Sequence, residues 1–263
     1  MPKFRAYHAR EISAKRPEPG CALRWDEMSL VVKVCGLSTE AALDAAVGHG
    51  ADMVGFVVCK KSPRHISLEL AARLGRRVFG QTRKVLLTVD AEDAAIAAAI
   101  AALAPDMLQL HGSETPERVA SIRARFGLPV MKAISVRQAA DLAAVPLFDA
   151  VADYLLFDAK PSLQDECPGG NGARFDWSLL EGIRARKPWL LAGGLDATNV
   201  TDAITHTSAS GVDVSSGVES AVGIKDSGKI AQFIAVARAA SAEGRVHQFR
   251  NQQERGRRGV AST

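Results

Sequence analysis

The sequence predicts a single α/β domain, a (β/α)8 TIM barrel with disordered N- and C-terminal extensions. Two observations carry that prediction. Strand-like and helix-like signals alternate eight times between residues 30 and 244, which fits a closed barrel of ordinary length. The first strand then runs into Val34-Cys35-Gly36-Leu37 with no Gly-x-Gly-x-x-Gly turn, against the competing open, doubly wound sheet.

The strand-like runs fall at 30–35, 52–58, 84–89, 106–110, 129–133, 153–158, 188–192 and 211–215. Helix-like segments follow them at 39–48, 67–79, 91–103, 115–126, 136–144, 176–185, 196–206 and 226–241. Several helix starts are marked. Ser38 or Thr39 can cap the first helix, Ser67 precedes acidic Glu69, and Thr115-Pro116-Glu117 reads as cap, first turn and acid. Asp196 is placed to cap the helix after Gly193-Gly194.

Residues 1–28 contain Pro17, Pro19 and Gly20 with weak periodicity and read as a flexible N-terminal extension. Met28-Ser29-Leu30 makes a natural beginning for the barrel, so residues 1–27 are expected to be dispensable. The barrel is assigned to 29–244, and 245–263 to a basic disordered tail.

The chain has 263 residues and 47% hydrophobic content, enough for a sizeable core. Its longest apolar stretches, such as Ala94 to Ala104, are too short or alanine-rich for a membrane span, and no continuous apolar run follows the basic residues of Met1 to Arg10, so export is not expected. The net charge of +4 belongs to the ends: residues 1–29 carry +2 and 244–263 carry +4, leaving −2 between them. Terminal charge runs are usually solvated tails, so nucleic acid is discounted as the main partner. Cys21, Cys35, Cys59 and Cys167 form no Cys-x-x-Cys pair, and no His spacing suggests zinc. A reduced, cytoplasmic setting is expected, with Cys35 a free thiol.

Chemistry in such barrels sits at the carboxyl ends of strands. Cys35 closes the first strand, and Asp158 closes Tyr154-Leu155-Leu156-Phe157 in the same way, so a thiol and a carboxyl can serve as base and acid. Gly193-Gly194 and Asp213-Val214-Ser215-Ser216-Gly217 follow the last two strands, where backbone amides commonly bind phosphate. The basic stretch Lys60-Lys61-Ser62-Pro63-Arg64 offers a substrate carboxylate a bidentate fork at Arg64. Gly169-Gly170-Asn171-Gly172 reads as a mobile lid. Gln109 and His111 share parity and should face the mouth, His111 first as a hydrogen-bonded wall. Lys33 and Asp213 each lie two residues deeper than a mouth residue on adjacent strands. A buried pair between them is expected, since a lone buried ammonium is costly.

Together these pieces resemble the phosphoribosylanthranilate isomerase family. The matching segments are Val32-Lys33-Val34-Cys35-Gly36-Leu37, Gly55-Phe56-Val57 with Lys61-Ser62-Pro63-Arg64, and Leu108-Gln109-Leu110-His111-Gly112. Further on come Gly169-Gly170-Asn171-Gly172 with Phe175-Asp176-Trp177, Ala192-Gly193-Gly194-Leu195 and Asp213 to Glu219, collinear over about 30–240. The resemblance implies an Amadori rearrangement of N-(5-phosphoribosyl)anthranilate in tryptophan biosynthesis, without metal or cofactor. It implies Cys35 as general base, Asp158 as general acid and Arg64 as holder of the anthranilate carboxylate. Gly194, Ser215, Ser216 and Gly217 would surround the phosphate, and Gln109, His111, Gly170, Gly172, Gly193 and Asp213 would complete the substrate site. The partner is thus a small phosphorylated molecule, with no membrane and no nucleic acid, and the chain is expected to be a monomer or weak homodimer. One departure stands out: the third strand ends Leu86-Leu87-Thr88-Val89-Asp90, where the family commonly has Gly-Val-Phe-x-Asn.

The implied chemistry needs Asp158 protonated while Cys35 is a thiolate. With ordinary pKa values, about 3% of thiol and about 0.1% of carboxyl are in those forms at pH 7, on the order of one molecule in 30,000 together. The pocket is therefore expected to shift both, with Lys33 lowering Cys35. Two other readings compete: a different phosphosugar barrel, and an idle barrel binding RNA through its arginine-rich tail. The first, if a metal-dependent epimerase, lacks paired His and Asp ligands at strand ends; the second leaves Cys35, Asp158 and Arg64 without a purpose.

Overall fold

The computed structural model describes residues 30–160, 172 and 174–242. The extensions assigned to 1–28 and 245–263, and Cys21 and Cys167, lie outside the described residues.

Eight parallel strands close on themselves: β1 (Val31–Cys35), β2 (Met53–Val57), β3 (Arg83–Thr88), β4 (Met107–Leu110), β5 (Val130–Val136), β6 (Tyr154–Ala159), β7 (Trp189–Leu191) and β8 (Gly211–Val214). β8 returns to pair with β1, placing Asp213 opposite Lys33. The strand rhythm explains the two cores. One set of side chains, including Val31, Met53, Val85, Met107, Met131, Tyr154, Leu156 and Leu190, fills the barrel interior. The alternate set, such as Val32, Val34, Phe56, Leu86, Leu108, Leu155, Phe157 and Leu191, packs outward under the helices. A small top cluster of Cys35, Val57 and Leu87 floors the mouth.

The helices are α1 (Glu40–Gly48), α2 (Leu68–Gly75), α3 (Asp93–Leu103), α4 (Pro116–Phe126), α5 (Val145–Val151), α6 (Val200–His206) and α7 over residues 227–242. Thr39, Ser67 and Thr115 accept the N–H of Ala42, Leu70 and Arg118, so the expected caps form.

Three expectations change. The segment 136–144 is not one helix: β5 runs to Val136, a 3₁₀ turn covers Ala139–Ala144, and α5 begins beside Pro146. Proline suits a first helical turn and cannot continue a preceding helix. The segment 176–185 holds only a 3₁₀ turn, Trp177–Leu180, cut off by Gly182 at φ +73°. Asp196 does not cap α6, which starts four residues later at Val200 with Asn199 in the cap position. Its carboxylate accepts Thr198 N–H at 2.7 Å and pairs with Arg174 at 2.9 Å.

Candidate active site

A cleft of about 730 Å³ opens at the carboxyl ends of the strands. It is lined by Cys35, Arg64, Gln109, His111, Asp158, Gly172, Gly193, Gly194, Asp213, Ser215 and Ser216. The structure therefore brings together the side chains and turns that the sequence scatters over 180 residues of chain, from 35 to 215. Gly170 lies outside the described residues, and Gly217 stands behind the cleft wall.

The thiol side is built from charges. Cys35 ends β1 facing inward, 4% exposed. Its neighbour on β2 is Gly55, and a Cβ there would stand 2.6 Å from Cys35 Sγ, so only glycine leaves the thiol its place. One pleat deeper, Lys33 is fully buried and its Nζ donates to Asp213 Oδ1 at 2.9 Å, which is the expected pairing. Burial opposes the Lys33 ammonium, but Asp213 and then Cys35 outweigh it and hold its pKa above the usual lysine range. The expected lowering of Cys35 does not result. Burial pushes the thiol up by more than Lys33 pulls it down, and the Asp213 carboxylate adds to the rise. Lys33 reduces the cost of ionising Cys35 without cancelling it.

Arg64 reaches the cleft, while Lys60 and Lys61 stay exposed outside its wall. The guanidinium was expected to offer its fork outward. Instead Nε and Nη2 bind both oxygens of Glu219, at 2.7 and 2.8 Å. Glu219 begins a short hairpin, β9 (Glu219–Ala221) and β10 (Ile224–Lys225). Lys225 on that hairpin also binds Glu219, at 2.7 Å, and donates to Ser215 O and Oγ at 2.9 and 3.1 Å. Burial works against the Glu219 carboxylate, but Arg64 and Lys225 outweigh it and hold its pKa below the usual range. Burial depresses Lys225, with Glu219 only partly compensating.

The acid side is built from a line of hydrogen bonds through Asp158, His111 and Gln109. Asp158 Oδ1 accepts the N–H of Ala159 at 2.8 Å, and Oδ2 lies 3.1 Å from His111 Nε2. His111 Nδ1 lies 2.8 Å from Gln109 Nε2. Both β4-side residues face the mouth, as their parity required. The turn after them is stapled from below: Glu114 accepts Gly112 N–H at 2.9 Å, and buried Lys132 binds both Glu114 and Gly112 O, at 2.9 and 2.6 Å. Asp90, at the departure noted in the third strand, sits at φ +45° and joins this staple, donating its N–H to Glu114 at 3.0 Å and accepting Ser113 N–H at 2.7 Å.

The third wall is made by the loops after β7 and β8. Gly193 at φ +89° carries the chain past Ala159, and a Cβ there would meet Ala159 N at 2.7 Å and Asp158 Oδ1 at 3.1 Å. Gly217 lets its loop close against the Leu195 carbonyl. Ser215 Oγ donates to Cys35 O at 3.2 Å, tying this wall to the thiol strand.

Sequence reasoning gave no role to Gly55 or Glu219, although both lie in the matching segments, and missed Lys225, Lys132 and Glu114. A lysine within a strand bound for the core, as Lys132 is, signals a buried partner; nothing local marks Glu219 as the partner of Arg64, 155 residues away. Among the described residues no group of three or more His, Cys, Asp or Glu is placed to hold a metal ion. No helix there is long and apolar enough to cross a membrane.

Residues 32–236 match the family model described as N-(5'phosphoribosyl)anthranilate (PRA) isomerase. An N-(5'-phosphoribosyl)anthranilate isomerase of Beijerinckia indica is 63% identical over 220 residues, covering 84% of this chain and 99% of that one. A crystal structure of phosphoribosyl anthranilate isomerase in complex with reduced 1-(o-carboxyphenylamino)-1-deoxyribulose 5-phosphate is 33% identical, with a TM-score of 0.70 over 80% of this chain and 99% of that chain. Mutually generated monomers of the dimeric enzyme from Thermotoga maritima give 32% identity and a TM-score of 0.68, over 80% of this chain and 98% of that one.

Proposed function

Because the chain belongs to the N-(5'-phosphoribosyl)anthranilate isomerase family, we propose that Cys35 and Asp158 are the general base and general acid of its reaction. The chain is an isomerase of tryptophan biosynthesis, converting N-(5-phosphoribosyl)anthranilate to 1-(2-carboxyphenylamino)-1-deoxy-D-ribulose 5-phosphate. That rearrangement opens the ribose by placing a proton on its ring oxygen, then removes the proton on C2 to form an enolamine, which tautomerises to the ketone. Asp158 supplies the first proton and Cys35 takes the second. Both transfers use side chains of this chain, so the scheme calls for no cofactor and no metal.

The observation that carries this reading is that the thiol and the carboxyl line one cleft whose rim is formed by the β7 and β8 loops. With the phosphate held by Gly193, Gly194, Ser215 and Ser216, the pentose lies between the two groups. Gly217 acts by letting the loop close, Lys225 brings positive charge behind Ser215, and Gly172 lines the cleft beside the sugar. Arg64 lines the cleft and holds Glu219 through Nε and Nη2, and its guanidinium charge is the group that draws the anthranilate carboxylate. Asp213 acts from beneath, through Lys33. A free thiol base fits a reduced, cytoplasmic setting, and we infer a monomer or weak homodimer, checked by light scattering across a concentration series.

The test follows the fluorescence of freshly generated substrate. Cys35→Ala and Asp158→Ala should each lower kcat by about 10²–10⁴ with unchanged circular dichroism. Near-normal turnover in either variant would remove that residue's role.

A further inference from the structure

Gln109, His111 and Asp158 form a series in which each contact dictates the next. A neutral imidazole has one N–H and one lone pair, so what His111 does at Nδ1 fixes what it offers at Nε2. An amide N–H donated to Nδ1 puts the imidazole proton on Nε2, where it stabilises the Asp158 carboxylate. An amide oxygen accepting from Nδ1–H leaves a lone pair at Nε2, which can accept only from a protonated Asp158.

In the orientation with Nε2 toward His111, Gln109 Oε1 has no hydrogen-bond partner among the described residues although Gln109 is wholly buried. A buried acceptor without a donor is costly. The two ends of a carboxamide are nearly the same size, so a half-turn of the terminal torsion exchanges them without moving a neighbour. Oε1 then receives the Nδ1–H, and the N–H₂ end takes the orphaned position, where its acceptor has to come from a hydroxyl of the substrate bound in the cleft that Gln109 lines.

We propose that Gln109 is a positioning residue that selects the His111 tautomer, presenting its oxygen to Nδ1–H so that Nε2 accepts the proton Asp158 carries as an acid. The inference rests on the reading of Asp158 as the general acid. Other groups face Asp158: Asp213 from β8, with Lys33 and Cys35 of β1 and Arg64 around the same cleft. They act on the carboxyl through charge, whereas Gln109 is uncharged and acts through the direction of one hydrogen bond.

The experiment is nitrogen NMR of the full chain labelled with ¹⁵N-histidine, the His111 signals being assigned by their loss in His111→Asn. The expected result is a protonated Nδ1 and a bare Nε2 in the resting enzyme near neutral pH. Gln109→Met, of similar volume but with neither donor nor acceptor at its end, should return His111 to the Nε2–H form. It should also lower kcat about tenfold, the size of one oriented hydrogen bond, with KM changed less than about twofold. The alkaline limb of its kcat–pH profile should move to lower pH. A resting enzyme with the proton on Nε2 would overturn the proposal, as would a Gln109→Met variant with the original tautomer and pH profile. Near-normal turnover of Asp158→Ala would instead overturn the acid assignment, whichever tautomer is measured.

Discussion

The two sides of the cleft solve opposite problems with different materials. On the thiol side, Lys33–Asp213 and Arg64–Glu219–Lys225 are buried ion pairs at 2.7–2.9 Å, in which burial raises the Asp213 pKa and Lys33 opposes that rise. On the acid side, an amide, an imidazole and a carboxyl are joined by hydrogen bonds whose donors and acceptors can exchange. A buried ion pair there, Lys132–Glu114, holds the turn after β4 and makes no hydrogen bond to Asp158. Fixed ions set a field that does not depend on small rotations, which suits the base role proposed for Cys35. Exchangeable hydrogen bonds can follow a proton, which suits the acid role proposed for Asp158.

The contrast is sharpest in stability. Lys33→Met leaves Asp213 buried without its counter-ion and should cost about 3–5 kcal/mol in urea unfolding. Adding Asp213→Leu should recover most of that loss. Gln109→Met, removing an uncharged partner, should cost about 1 kcal/mol in the same assay. Equal losses from the two single substitutions would break the contrast.

A smaller effect separates shape from charge. Gly55→Ala changes no charge, yet its Cβ would enter the space of Cys35 Sγ. Displacing the thiol by about 1 Å should lower kcat about 10²-fold, with a stability loss of about 1–3 kcal/mol from overpacking. Activity near that of the parent would mean the thiol can be repositioned freely.

The smallest effect is a pH dependence. Glu219 has a lower pKa folded than unfolded, so its contribution to stability is complete above the unfolded value of about 4.3 and is lost as pH falls through the native value. The stability of Glu219→Gln should therefore fall less steeply than that of the parent on acidification from about pH 5 to pH 3, measured by denaturant titration at each pH. Identical slopes would mean that Glu219 does not titrate against Arg64 and Lys225.

The barrel was legible because strand parity is a local rule. Strand ends place Cys35 and Asp158 at the mouth, and parity places Gln109 and His111 there and pairs Lys33 with Asp213. What escaped depends on separation. Glu219 looks like any acid after a glycine turn until the closed sheet brings its hairpin over Arg64. Gly55 looks like an ordinary strand glycine until β1 lies beside it. The two misread helices failed for a nearer reason, since Pro146 and Gly182 decide where helical hydrogen bonding begins and stops. The direction of the Cys35 shift was misjudged because the sequence displays the lysine beside it but not the depth of its burial.

The closure of β8 onto β1 also imposes an order on synthesis. His111 and Asp158 are 47 residues apart and can meet while the nascent chain is still growing, whereas Lys33 must wait for an aspartate 180 residues later. Until the ribosome has released the last strand, the first carries an ammonium destined for the interior with nothing to neutralise it. A product terminated before β8 therefore carries an unpaired ammonium in the same strand as Cys35, and the wall in which the thiol stands should be destabilised.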